Sequence, residues 1–244
     1  MERPSMRKAF IAMLFAAMLV LPATAKSNDR TDDFVTANTL AILYHELGHA
    51  LIDILDLPVF GQEEDAADVL SVLLIHQLYD DGDASDIIYD AAFGFLREAE
   101  EYEPALWGVH GPDLQRYYTM ICLFYGADPD GRHDLAEELD LPEERRDTCS
   151  DEFELAEASW GPVLDEIAEE APGKSLVFKG DVTGLLGGVL AEEVAALNAD
   201  FALPDSVYLS VQDCDEANGF YDPESREIIL CSELDGYLRD LSNF

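Results

Sequence analysis

The chain has 244 residues, with 14 lysines and arginines against 52 aspartates and glutamates and a net charge of −38. A surface this acidic repels phosphate backbones and anionic headgroups, which argues against nucleic acid and lipid surfaces as partners. Apolar content of 48% is that of a globular protein, and the length suits one domain, or one domain with an appended lobe, around an ample core.

Residues 1–25 have the layout of a secretory signal peptide. Arg3, Arg7 and Lys8 precede an almost unbroken apolar run over 9–21, and Ala23-Thr24-Ala25 forms an A-x-A cleavage site. The run is shorter than the roughly 20 apolar residues a membrane span needs, so the reading is cleavage, a mature chain from Lys26 and no stable membrane anchor. The mature chain then carries 11 basic and 51 acidic residues, net −40. Such a surface suits solvation in a salty or exposed compartment, periplasmic or secreted; steering of cationic peptides is the functional alternative.

The spacing predicts a helix over 38–57, where Leu40, Leu43, Leu47, Ala50, Leu51 and Ile54 recur at steps of three and four and Pro58 ends the run. A second helix is expected from Gln62 to Leu78, with Glu63, Glu64 and Asp65 in its first turn and Asp80-Asp81-Gly82-Asp83 as its breaker. Further helices are expected over 84–102, 113–125 and 152–170. After Pro172 the character changes: short strands over 176–178 and 207–211 flank a helix over 185–198. A hairpin around Asp222-Pro223-Glu224-Ser225 and a last helix follow. The expected fold class is α+β, predominantly helical, as a single domain over 26–244 with a helical part (34–171) and an α+β part (172–244).

Cys122, Cys149, Cys214 and Cys231 are an even set in an exported chain and read as two disulfides. Four cysteines allow three connectivities; the local pairs Cys122–Cys149 and Cys214–Cys231 are favoured. No C-x-x-C occurs, which disfavours a redox centre or a thiolate zinc site.

The strongest signal is His45-Glu46-Leu47-Gly48-His49. On a helix, positions i and i+4 share a face, so two imidazoles can take two corners of one tetrahedral zinc. Glu46, one step round, can reach a zinc-bound water as general base without binding the metal. Glu64 and Asp68 form E-x-x-x-D on the next helix. Glu64 is placed as third ligand, and Asp68 to accept the free N–H of a ligating imidazole, His45 in particular. Glu63 is the near alternative, set aside because Ala67 stands where a partner carboxylate is needed. His110, in Trp107-Gly108-Val109-His110-Gly111-Pro112-Asp113, is the catalytic candidate for stabilising an oxyanion, with Tyr117 and Tyr118 as alternatives. His76 and His133 read as structural or exposed. The acidic turns at 80–83 and 128–131 lack calcium-loop spacing.

At these residues the sequence resembles a family of bacterial exported zinc metallopeptidases, known mainly as a domain of unknown function. The resemblance covers most of the mature chain. It rests on Tyr44 through Asp53, on Glu63-Glu64-Asp65-Ala66-Ala67-Asp68, and on His110, Asp113, Gln115, Arg116 and Tyr118 as an H-x-x-D-x-Q-R-x-Y stretch followed by Cys122. Leu141-Pro142-Glu143, Cys149 and the segment from Cys214 to Leu234 complete it. In the family pattern the Cys-flanked hairpin precedes the H-E-x-x-H helix; here it comes last, which resembles a circular permutation. The permuted order predicts that the chain near Asp33 lies close to Phe244 and that the hairpin packs beside the metal-binding helix.

The resemblance implies a peptide or protein substrate. The reading is therefore zinc-dependent peptide hydrolysis of gluzincin type. A non-catalytic zinc-binding or interaction protein on the same scaffold, and a zinc amidase acting on cell-wall material, are the competing readings. The oligomeric state is not legible in the sequence.

Overall fold

The computed structural model describes residues 25–243; the signal segment expected over 1–25 lies outside them apart from Ala25. In chain order the elements are α1 (Ala25–Ile54), α2 (Glu63–Leu78), α3 (Asp81–Glu101), α4 (Asp113–Ala127), α5 (His133–Glu138), α6 (Glu143–Glu169), β1 (Leu176–Phe178), α7 (Leu185–Asp200), β2 (Val207–Gln212), β3 (Gly219–Asp222), β4 (Glu227–Cys231) and α8 (Glu233–Leu241). The fold is predominantly helical α+β, as the periodicity indicates.

The largest departures are at helix ends. α1 stops at Ile54, before the predicted end, because Asp56 takes a left-handed conformation (φ 50°). The Leu57 amide then donates to Ile52 O at 3.0 Å and the Asp56 amide to Asp53 O at 3.2 Å, the two bonds of a Schellman cap. This turn throws the chain back so that α2 runs alongside α1. The Asp80 side chain accepts from the Gly82 and Asp83 amides, each at 3.1 Å. The acidic stretch that ends α2 thereby caps α3, which starts at Asp81. α6 begins at Glu143, nine residues ahead of the predicted start at 152, with Pro142 at its N-cap and Glu143 and Glu144 in its first turn. The one-turn-and-a-half α5 was not predicted.

β1, β2 and β4 are parallel neighbours, β1 and β2 being joined through α7; β3 lies antiparallel to β4 at the sheet's edge, in the order β1-β2-β4-β3. α1 runs through the middle of the molecule, packed on α2, α3, α7, α8 and β3. Its Leu43, Tyr44 and Leu51 are fully buried and belong to one hydrophobic cluster that spans both the helical and the α+β parts. The Tyr44 hydroxyl donates to Glu193 Oε1 of α7 at 2.7 Å, so even the polar atom of this core residue is satisfied.

Among the described residues, the last helix lies against α1 and the hairpin packs beside it; Phe244 itself lies outside them. Arg239 Nη1 of α8 lies 2.6 Å from Asp32 Oδ1 near the start of α1. The Tyr221 hydroxyl of β3 donates to Asp53 Oδ2 of α1 at 2.7 Å.

Of the three cysteine connectivities the local pairs occur: Cys122–Cys149 joins α4 to α6, and Cys214–Cys231 ties the loop before β3 to the end of β4. The first closes a separation of 27 residues between two fully buried cysteines. Replacing both with alanine is expected to cost about 3–4 kcal/mol of stability on the chain-entropy relation. Urea unfolding would read this as a lower midpoint, and an unchanged midpoint would show that α4–α6 packing alone suffices. No described helix is long and apolar enough to cross a membrane.

Candidate metal centre

His45 and His49 stand one turn apart on α1 and face the first turns of α2. The two helices are brought unusually close at Gly48: a Cβ there would stand 2.9 Å from Ala67 Cα and 3.1 Å from Ala67 Cβ. Such separations are shorter than packed side chains tolerate. The glycine between the histidines is thus what lets α2 reach them. Gly48→Val is expected to wedge the helices apart and weaken metal binding by more than tenfold with the helices still formed. Metal titration beside far-UV circular dichroism tests this, and a variant with unaltered affinity would remove Gly48 from the account.

Across that contact three atoms converge. His45 Nε2 is 3.1 Å from Glu64 Oε2, His49 Nε2 is 3.2 Å from the same oxygen, and the two Nε2 atoms are 3.2 Å apart. A tetrahedral ion with bonds of 2.0–2.1 Å holds its ligand atoms about 3.3–3.4 Å apart, so this triangle fits one face of such an ion. The opposite ring atoms settle the tautomers. His45 Nδ1 lies 2.7 Å from Asp68 Oδ1, and His49 Nδ1 lies 2.8 Å from Glu63 Oε1. A carboxylate only accepts, so each Nδ1 donates, and each Nε2, once it gives up its proton, is the ring atom left for a cation. Stripped of protons, three such atoms at these separations repel unless a cation sits among them.

The surrounding electrostatics express the same demand. Burial works against charge on His45, yet hydrogen bonds with Asp68 and Glu64 raise its pKa to about 9. Hydrogen bonds from His110, His45 and His49 hold the Glu64 carboxyl far below the usual carboxylate range. A divalent cation answers that demand in place of protons.

Asp68 is itself held. Arg116 of α4 donates to it from Nε and Nη2, both at 2.8 Å, and its guanidinium lies over the Phe95 ring at 4.2 Å. Burial opposes ionisation of Asp68, but Arg116 and His45 keep it ionised. Arg116→Ala leaves this buried carboxylate without its cation and frees it to turn from His45. Metal affinity is expected to fall about 10–100-fold, the range for partners that orient a ligand, with smaller loss in Arg116→Lys. Competition with a chromogenic chelator reads the difference.

Glu46 lies beside the cluster, 6% exposed, and burial pushes its carboxyl pKa up. Gly219, at the start of edge strand β3, packs over it, and a Cβ there would stand 3.7 Å from Glu46 Cγ and 2.6 Å from Ile42 Cγ2. His110 reaches in from the opposite side on the loop between α3 and α4. Its half-exposed ring lies 2.8 Å through Nε2 from Glu64 Oε2 and stacks near His45, with centroids 5.8 Å apart. His45, Glu64 and His110 therefore also form a group that could hold an ion. His49 offers a third such atom: its ring is held through Nδ1, and its Nε2 lies 3.2 Å from each of the other two.

The alternatives to His110 are engaged elsewhere. The Tyr117 hydroxyl donates to Leu139 O at 2.7 Å, and Tyr118 packs edge-on against Tyr117. His76 accepts from Arg132 at 2.9 Å between Phe124 and Phe153, and exposed His133 pairs with Glu137, both outside the site. Sequence reasoning did not assign Gly48 or Arg116 a role and set Glu63 aside.

The cluster opens into a cleft of about 980 Å³ between α1, α3, α8 and β3. A cation bound between the two helices would meet anything entering this cleft beside a buried carboxylate, an arrangement that defines metal-dependent hydrolases. The chain belongs to the family described as "Putative metallopeptidase", whose model matches residues 12–164 and 186–243. No curated protein and no solved structure matches the chain.

Proposed function

We propose that this protein is an exported zinc endopeptidase of the gluzincin type, formed as one domain over 26–244, with His45, His49 and Glu64 as ligands and Glu46 as general base. The observation that carries the reading is the triangle of converging His45, His49 and Glu64 atoms, 3.1–3.2 Å on each edge, beside buried Glu46. Two disulfides support an oxidising, non-cytoplasmic location.

Zinc, when bound, supplies Lewis acidity that polarises a peptide carbonyl and brings the pKa of water to about 7. Glu46 takes the proton of the attacking water and passes it to the leaving amine; the raised pKa that burial gives its carboxyl suits both transfers. His110 donates from Nε2 to the oxygen on which charge develops, a role favoured by its reach to the cluster from across the cleft. Asp68 and Glu63 keep the two ligand rings in register. β3 presents the free edge of the sheet to the cleft, where an extended peptide can add as a further strand with its backbone near Glu46.

The test is cleavage of a diverse peptide mixture by the zinc-loaded mature chain, read by mass spectrometry. Cleavage that a chelator abolishes and zinc restores is the expected result. Intact peptides with one zinc bound per chain would overturn the peptidase reading in favour of a binding protein or a cell-wall amidase.

A further inference from the structure

The cleft is lined by six carboxylates, Glu46, Asp53, Glu63, Glu64, Asp68 and Glu98, and by one arginine, Arg116. Five of the six are accounted for. Glu46 is the proposed base, Glu64 a proposed ligand, Glu63 and Asp68 hold the ligand rings, and Asp53 accepts from Tyr221. Arg116 is engaged by Asp68. Glu98 is left over. Its Oε1 accepts from the Tyr237 hydroxyl of α8 at 3.0 Å, and the positive charge that acts on it, that of Arg116, is already tied to Asp68 by two hydrogen bonds. Burial raises its carboxyl pKa, the mark of a carboxylate whose lost hydration is not fully replaced.

We propose that Glu98 is the floor of a subsite that takes the cationic head of a lysine or arginine side chain of the substrate. The inference rests on the peptidase reading and names a preference at that same site. Glu98 lies one turn along α3 from Phe95, and Phe95 stacks under Arg116, which holds Asp68 against His45. Glu98 and the metal cluster thus line one cleft. Its walls include Phe95, Met120, Leu238 and Leu241. Apolar side chains and a carboxylate in one cleft match a long aliphatic stem with a charged tip. A neutral residue there leaves the carboxylate with only a phenol, and an acidic residue meets a cleft in which carboxylates outnumber arginine six to one. The acidity of the whole surface draws cationic peptides toward the same cleft.

The test scans each position of a cleaved peptide with lysine, norleucine and glutamate and compares kcat/KM for wild type, Glu98→Gln and Glu98→Lys. Equilibrium binding of the same peptides to Glu46→Gln protein, with and without Glu98→Gln, is measured in parallel by fluorescence anisotropy. At one position next to the scissile bond, wild type is expected to favour lysine over norleucine by about 30-fold or more, as for a desolvated charge pair. The ratio should fall toward one in Glu98→Gln, and Glu98→Lys should favour glutamate. Cleavage without a basic preference overturns this inference and leaves the peptidase reading standing. Lysine-dependent binding without cleavage does the reverse. If Glu98→Gln lowers the melting temperature but keeps the lysine preference, Glu98 only ties α3 to α8 through Tyr237 and the subsite is refuted.

Discussion

Replacing Glu46 with glutamine is expected to lower kcat by about 10²–10⁴-fold, the usual contribution of a positioned general base, while zinc stays bound at one per chain. The two effects separate because no hydrogen bond among the described residues joins Glu46 to the three converging atoms. Those are set by His45, His49 and Glu64, and their ring orientations by Asp68 and Glu63. Glutamine has nearly the same shape, so the buried position beside β3 keeps its packing. The amide cannot take a proton from water. A single measurement of zinc content beside peptide turnover reads both effects. Loss of metal together with activity would show that Glu46 belongs to the binding set, and retained activity would remove it from the chemistry.

The second large effect is expected at Glu64. Its Oε2 stands within 3.2 Å of three imidazole nitrogens, those of His45, His49 and His110. Glu64→Ala removes the only anion of the set and leaves ring nitrogens that repel one another. Metal affinity is expected to fall by more than about 100-fold, beyond what partners of ligands contribute. Bound metal adds about 2.7 kcal/mol to stability at a hundredfold excess over its dissociation constant, so the rise in melting temperature with zinc seen in wild type should vanish. Glu63→Ala is the matched comparison. Glu63 touches only His49 Nδ1 and its side chain is half exposed, so a loss of 10–100-fold is expected there. If Glu63→Ala proved the more damaging, the assignment of the third ligand would have to be exchanged between the two neighbours.

These predictions trace back to what the sequence does and does not carry. The ligand face of α1 was legible because helical spacing alone sets His45 and His49 on one side, and Glu64 and Asp68 followed from the same rule applied to α2. The hairpin and the short strands were legible from apolar runs between turn residues; their parallel pairing was not. Gly48 was not, because its contribution is the side chain it lacks, and only the approach of Ala67 reveals it. Arg116 was not, because it lies 48 residues from the Asp68 that it orients, and such a separation leaves no periodic trace. The start of α6 was missed for a local reason. Its charged first turns carry little apolar pattern, while capping by Pro142 and the Cys122–Cys149 link stabilise them. Glu98 was hidden among many acids until the cleft singled it out as a carboxylate held by a phenol, its neighbouring cation Arg116 being tied to Asp68.

The most direct test of the central claim is a crystal of the zinc-loaded mature protein measured at the zinc absorption edge. A single anomalous peak about 2.0–2.1 Å from His45 Nε2, His49 Nε2 and Glu64 Oε2, with Glu46 outside bonding distance, is the predicted result. A peak held by His110 in place of His49, or no peak between α1 and α2, would contradict it.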